Sequence, residues 1–442
     1  MTFVTSDSPA QPNDGAGGNT PAADPETAAP VLAVLDEPRD GIPLVVNTPG
    51  GLERAAEAIA AGSGPAGVDA ERASGFRYGQ RAFLVQIRRE GAGTWLIDPE
   101  PFGDLGMINE ALAGVEWILH AATQDLPCLR ELGMNPDKLF DTELAARLAG
   151  LPRVGLAAVI ESMLGFTLAK EHSAADWSTR PLPEPWLRYA ALDVEVLPEL
   201  RTALIAKLEE DGKLGYAEEE FEALRTAPPA APRTDPWRRT SGLHQIRDRR
   251  QLAAARELWL EREQLAAKRD VAPGRLIPDS AIVAAARAMP ATVPQLLAVN
   301  GFHGRAAKRE APRWLRCIAA ASQLTDLPPL HVATNAPPPP RVWAEKDPAA
   351  AARLQTARPR LAALAERLNL PVENLLTPDY LRRLAWRPPA PVTEESLAAE
   401  LAGLGARRWQ VQLAAPVLAE AFLHPEPLAE RKNGGRDAAA GG

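Results

Sequence analysis

A chain of 442 residues is too long for one ordinary domain, and a composition 46% hydrophobic and 24% charged is that of a folded, soluble protein. No apolar run reaches the roughly eighteen residues of a membrane span, and two distant cysteines, Cys128 and Cys317, exclude a disulfide framework or a cysteine zinc cluster and suit a reducing cytoplasm. The net charge of −8 averages two opposite halves: residues 237–325 hold 16 Lys and Arg against 7 Asp and Glu, a net of +9, which leaves −17 elsewhere. That asymmetry is expected where one module grips phosphates and another gathers carboxylates.

In chain order, residues 1–42 read as a disordered tail, rich in Pro, Gly and small residues and without the basic start and apolar core of a secretory signal. Regular structure is expected from Leu44-Val45-Val46, a short strand, after which Thr48 caps a helix through Leu52, Ala55, Ala56 and Ile59. Strands follow at 67–71, 82–88 and 95–97, separated by Gly75, Gly79, Gly91 and Gly93. A further strand at 116–120 leads into a helix at 126–132, with Pro127 in its first turn. Helices are then expected at 142–148, 154–164 and 186–208, the last bent at Pro198. Early strands with helices among and after them imply an α/β domain, a mixed sheet flanked by helices, over 43–225. The Pro-rich segment 227–235 reads as a linker to an all-helical module at 237–325. A second Pro-rich linker at 326–345, a second helical module at 346–425 and a mobile tail at 426–442 complete the chain.

Three groups of residues could do chemistry. Asp69-Ala70-Glu71 ends a strand, and residues two apart on a strand share a face, so both carboxylates can address one site. Paired carboxylates repel unless a hard divalent cation joins them. Asp125 follows the apolar strand Trp117-Ile118-Leu119-His120, at a helix start where Asp is also favoured simply as a cap. Tyr189 and Asp193 lie four apart on a helix, hence on one face. Together the four carboxylates could hold two divalent ions about 3.5–4 Å apart, the arrangement that promotes in-line displacement at phosphorus. A phenol of pKa about 10 is a poor base at neutral pH, so Tyr189 is expected to orient the attacking water.

The order strand-borne Asp-x-Glu, Asp after a strand, Tyr-x-x-x-Asp on a late helix resembles the three exonuclease motifs of the DEDD superfamily, whose fold is ribonuclease H-like. Tyr189, four residues before Asp193, marks the tyrosine subclass; the histidine subclass would have His where this chain has Arg188. The stretches His120-Ala121-Ala122-Thr123-Gln124-Asp125-Leu126, Phe140-Asp141-Thr142-Glu143-Leu144-Ala145 and Asp176-Trp177-Ser178-Thr179-Arg180-Pro181-Leu182 are similar to ribonuclease D, with the resemblance covering roughly 43–210. One departure is Arg72, where that family usually has Phe packed near the terminal nucleotide. Asp141 matches a family Asp, and helix capping is its expected role.

Residues 252–290, with Arg256-Glu257-Leu258-Trp259, Lys268-Arg269-Asp270 and Ile277-Pro278-Asp279, resemble the helicase-and-RNase-D C-terminal (HRDC) domain, a helical nucleic-acid-binding bundle. Leu252, Ala255, Trp259 and Ala266 are its expected core face. Arg247, Arg249, Arg250, Lys268, Arg269 and Arg275 are candidate RNA phosphate contacts. The second module resembles a diverged HRDC copy, with Trp409, Val411, Leu413 and Val417 as its apolar set. The resemblance implies a 3′→5′ exoribonuclease that uses two Mg²⁺ or Mn²⁺ ions, releases nucleoside 5′-monophosphates and trims structured RNA such as tRNA 3′ ends. RNA is the implied partner, with no membrane and no obligate protein partner. A 3′→5′ DNA exonuclease and a catalytically silent RNA-binding adaptor are the alternatives. A helicase is disfavoured by the lack of a phosphate-loop Gly-x-x-x-x-Gly-Lys-Ser/Thr segment.

Overall fold

The computed structural model describes residues 32–168, 175–332 and 335–428; the tails expected to be disordered or mobile fall, at 1–31 and 429–442, outside the described residues. Its strands are β1 (Ala33–Leu35), β2 (Val45–Val46), β3 (Ser63–Arg72), β4 (Ala82–Glu90), β5 (Gly93–Ile97), β6 (Glu116–Leu119), β7 (Lys138–Asp141) and β8 (Phe166–Leu168). Strands β2 to β7 form one mixed sheet in the order β2-β5-β4-β3-β6-β7. The β3–β4 and β4–β5 pairs are antiparallel and the others parallel. The expected tail 1–42 therefore ends early: β1 pairs in parallel with β8, neither of which the sequence suggested. The apolar run Leu32-Ala33-Val34-Leu35 has the β propensity for this despite its Pro-rich surroundings.

Strand β3 runs through the middle of the sheet, and its alternation divides structure from chemistry. Ala66, Val68 and Ala70 are buried on one side with Leu52, Ile59, Leu119 and Leu126. Gly67, Asp69 and Glu71 alternate with them and so take the other face. The helix expected over 186–208 is two helices, Glu184–Glu195 and Leu197–Glu210, because Pro198 falls in the first turn of the second, where its missing N–H leaves no bond unmade. Their junction lies against Gly67. A Cβ there would stand 2.8 Å from the Val194 carbonyl oxygen and 3.2 Å from Leu197 Cβ, so only glycine lets the junction settle onto β3. This close approach carries Asp193 to the carboxylates of β3.

The two helical modules join this domain differently. Residues 237–325 enclose their own core around Trp237, Leu258, Ile282, Phe302 and Trp314. Leu252, Ala255 and Ala266 are buried as expected, whereas Trp259 is only partly buried against that core. The later helices, Pro348–Arg367 to Arg408–Leu423, have no separate core: Trp343, Leu364, Leu401 and Trp409 continue an apolar cluster that includes Ile118, Phe140, Leu204 and Phe221 of the sheet domain. No described helix is long and apolar enough to cross a membrane.

Candidate active site

Asp69, Glu71 and Asp193 converge. Each offers a carboxylate oxygen, and these oxygens lie within 4.8 Å of one another. Burial is the largest influence on both β3 carboxyls, raising Asp69 and lifting Glu71 well above the ordinary range. Asp69, Asp193 and Asp125 add repulsion at Glu71. Such a cluster is costly when every member is ionised and uncompensated. Gln86 sharpens the point. It pairs across the ladder with Asp69 and is fully buried, yet neither of its side-chain amide atoms has a hydrogen-bond partner among the described residues. A polar residue in the otherwise apolar run Ala82-Phe83-Leu84-Val85-Gln86-Ile87 was the sequence signal for it. The donor set, buried hard oxygens crowded by like charge, fits a divalent cation.

Asp125 adjoins this trio. It occupies the N-cap position of the helix Leu126–Glu131 but makes no capping bond through its side chain. Its carboxylate is buried and meets Arg72, whose Nη2 lies 3.3 Å from Asp125 Oδ1 while Nη1 donates to the Gln124 carbonyl at 2.7 Å. The Asp125 carboxyl is pushed up to about 8, by burial first and by Asp69 next, with Arg72 opposing. Asp141 does cap its own helix, Thr142–Leu148. Its Oδ1 accepts from the amides of Glu143 and Leu144 at 2.9 and 3.1 Å, as the sequence suggested. Asp141 also accepts from the amides of Ala121 and Ala122 at 3.1 and 2.8 Å, bracing the turn that leads to Asp125. Ala121 holds a left-handed φ of 61°, a conformation a non-glycine residue keeps only when tied down in this way.

Tyr189 hydrogen-bonds Asp193, and burial together with Asp193 and Glu71 raises its phenol far above its ordinary value. It stays a protonated donor. Its ring packs near Trp177, which is fully buried between Tyr189 and Trp186, with centroids 6.4 and 5.5 Å away. The segment around Trp177 is fixed by Arg180, which donates to both Asp98 oxygens at 2.6 and 2.9 Å. The Asp-Trp-Ser-Thr-Arg-Pro-Leu stretch thus supports the site from behind.

The six basic candidates of the helical module are dispersed. Arg249 donates to the Pro328 carbonyl at 3.2 Å and also to that of Leu327; Arg250 donates to Ala321 at 3.1 Å and to Leu324. Arg269 pairs with Glu310 at 2.7 Å. Arg275 stacks over Phe76 at 4.2 Å and donates to the Gly75 carbonyl at 2.8 Å. Arg247 and Lys268 are exposed and make no hydrogen bond or ion pair among the described residues. Beside Arg275, Asp270 receives Arg81 in a two-pronged contact at 2.9 and 2.8 Å and the Tyr78 amide at 3.3 Å, and the Ala272 amide donates to Phe76 at 2.9 Å. These contacts fasten the module to loop 73–81, which directly follows the site strand.

Residues 44–209 match a family model described as 3′-5′ exonuclease, 251–318 an HRDC domain, and 336–422 a 3′ to 5′ exonuclease C-terminal domain. Ribonuclease D of Gluconacetobacter diazotrophicus is 33% identical over 331 residues, 73% of this chain and 81% of its own length. The crystal structure of a protein from Bifidobacterium adolescentis is similar over 89% of this chain and all of that one, with 40% identity and a TM-score of 0.81. Escherichia coli RNase D, an exoribonuclease involved in structured RNA processing, shares the fold at 24% identity and a TM-score of 0.63, covering 87% of this chain and 99% of its own.

Proposed function

Since the chain belongs to the ribonuclease D family of 3′→5′ exoribonucleases, we propose that Asp69, Glu71, Asp125, Tyr189 and Asp193 are its catalytic residues and that it releases nucleoside 5′-monophosphates from RNA 3′ ends. The observation that carries this reading is the convergence of the Asp69, Glu71 and Asp193 oxygens within 4.8 Å, with Asp125 alongside. Asp69, Glu71, Asp125 and Asp193 would hold two divalent cations, Mg²⁺ or Mn²⁺, which when bound acidify the attacking water and stabilise the departing 3′-oxygen. Tyr189, held protonated beside Asp193, would orient the attacking water through a hydrogen bond accepted at its phenolic oxygen, and does not take its proton. Trp177 and the Asp98–Arg180 pair keep that phenol in place.

Arg247 and Lys268, free of internal partners among the described residues, are the basic residues best suited to RNA phosphates, whereas Arg249, Arg250, Arg269 and Arg275 are already engaged. Trimming of structured RNA, including tRNA 3′ ends, fits a carboxylate site beside a docked helical module and the structured-RNA processing of the Escherichia coli relative. The unpaired cysteines Cys128 and Cys317 suit a cytoplasmic setting. The test is hydrolysis of 5′-labelled RNA by the purified chain, with a DNA strand of the same sequence alongside. Shortening from the 3′ end is expected only with divalent metal and is expected to vanish in Asp69→Asn. Full activity in that variant, or faster turnover of DNA, would overturn the assignment.

A further inference from the structure

Arg249 and Arg250, taken up by backbone carbonyls, shape the surface beside them. Arg249 donates to Pro328 at 3.2 Å and to Leu327, and Arg250 to Ala321 at 3.1 Å and to Leu324. These bonds fold the chain leaving the basic module back over the start of the helix Arg249–Arg269. A groove of about 480 Å³ results, between residues 238–252 and 330–332. Apart from Leu252, its lining lies outside 251–318, the span that matches an HRDC domain, so the flanking segments add it to the module. Part of that lining is apolar and open to water, with Leu330 37% and Val332 52% exposed. Every ionisable side chain that lines it is basic, namely Arg238, His244, Arg247 and His331, with no carboxylate among the described residues. Asp248, next to Arg247, is instead turned to its own helix and accepts from the amides of Arg250 and Gln251 at 2.8 and 2.9 Å.

We propose that this groove is a second contact for the substrate, binding a single-stranded stretch of RNA upstream of the 3′ end under hydrolysis. This rests on the reading of the chain as an exonuclease acting on RNA. Open apolar side chains ringed by cations suit a polyanion that carries flat apolar faces. Arg247, exposed and without an internal partner among the described residues, supplies a phosphate contact. Arg238 is committed differently. Its Nε edge pairs with Asp235 at 3.2 Å and its guanidinium lies 4.3 Å over the Trp237 ring, a fixed plane of the kind on which unpaired bases stack. That favours RNA over an acidic peptide, whose carboxylates would compete with Asp235 for the same edge. Position sets the length of strand required. The helix Arg249–Arg269 has 21 residues and spans roughly 30 Å, with the groove at its start and the contacts to loop 73–81 beyond its end. At the ~3.4 Å rise of a stacked strand, that separation is about nine nucleotides.

The experiment follows binding of 5′-labelled single-stranded RNA to the full chain by fluorescence anisotropy, in EDTA so that no strand is hydrolysed. For a strand of about 20 nucleotides at low salt, Arg247→Glu and Val332→Asp, each checked by thermal melting, should weaken binding on the order of tenfold. Arg247→Ala should flatten the salt dependence by about 0.7 in slope, the contribution of one phosphate contact. Arg316→Glu makes the same charge change at an exposed residue of the same module outside the groove, and should cost at most about twofold. Wild-type affinity should rise in a step once the strand passes about nine nucleotides, and Arg247→Glu should remove that step. Equal losses in Arg247→Glu and Arg316→Glu, or no loss in either groove variant, would overturn the proposal. So would polyglutamate that binds as tightly as RNA and loses as much in Arg247→Glu, since the groove would then be a site for acidic protein. Binding in EDTA does not call on the metal-dependent reaction, so this failure and that of the proposed reaction are separable.

Discussion

Trp409 and Asp270 fasten two helical regions to the same sheet domain by opposite means. Trp409 is buried in the apolar cluster that runs from the sheet into the C-terminal helices; it stacks on Tyr216 at 4.7 Å and donates to Glu220 at 3.2 Å. Lys213 adds a buried tie, donating to the carbonyls of Leu148 and Asn369 at 2.9 and 3.0 Å. Asp270, by contrast, sits at the end of a helix that packs on its own core and grips Arg81 across a partly exposed seam. Burial of apolar area is non-directional and is not screened by salt, whereas an exposed charge contact is weak and screened. One region is thus built as part of the exonuclease body, and the other is built to be held in place beside loop 73–81 or let go.

The largest effect should come from the shared core. Trp409→Ala is expected to cost about 3–5 kcal/mol in urea unfolding, and hydrogen exchange should quicken in β7 as well as in the C-terminal helices. Loosening confined to 343–423 would show two cores where we describe one. Asp270→Asn should cost at most about 1 kcal/mol of global stability, as for other exposed ion pairs. Asparagine keeps the left-handed φ of 49° that Asp270 adopts, so the variant removes charge without straining the turn. Exchange should quicken at 73–81 and 270–276 and nowhere in the C-terminal helices. Acid should act in the same direction. Arg81 holds the Asp270 carboxyl below its ordinary 3.8, so the contact is intact above that pH and is lost as pH falls below it. Equal loosening of both regions by either treatment would erase the distinction between them.

The candidate site residues were legible because their geometry is local. Alternation on one strand places Asp69 and Glu71 together, and a four-residue spacing on one helix places Tyr189 with Asp193. The family pattern then supplied the long-range step that brings the two pairs to one point. What stayed hidden depends on contacts between distant segments. Nothing near Arg72 announces that it will reach Asp125, and Gly67 reads as an ordinary strand residue until the Val194 carbonyl lies over it. Arg249, Arg250, Arg269 and Arg275 look like a basic surface in a linear chain, but carbonyls, Glu310 and Phe76 claim them in three dimensions. The C-terminal helices show the same limit from the apolar side. An amphipathic pattern says that a face is buried and leaves open whether it is buried against its own module or against Phe140 and Phe221 of another.

Crystals of the chain soaked in Mn²⁺ and measured at the manganese absorption edge bear most directly on the carboxylate site. An anomalous peak bounded by Asp69, Glu71 and Asp193, with a second beside Asp125, is the expected result. Manganese bound elsewhere, with those three carboxylates bare, would contradict it.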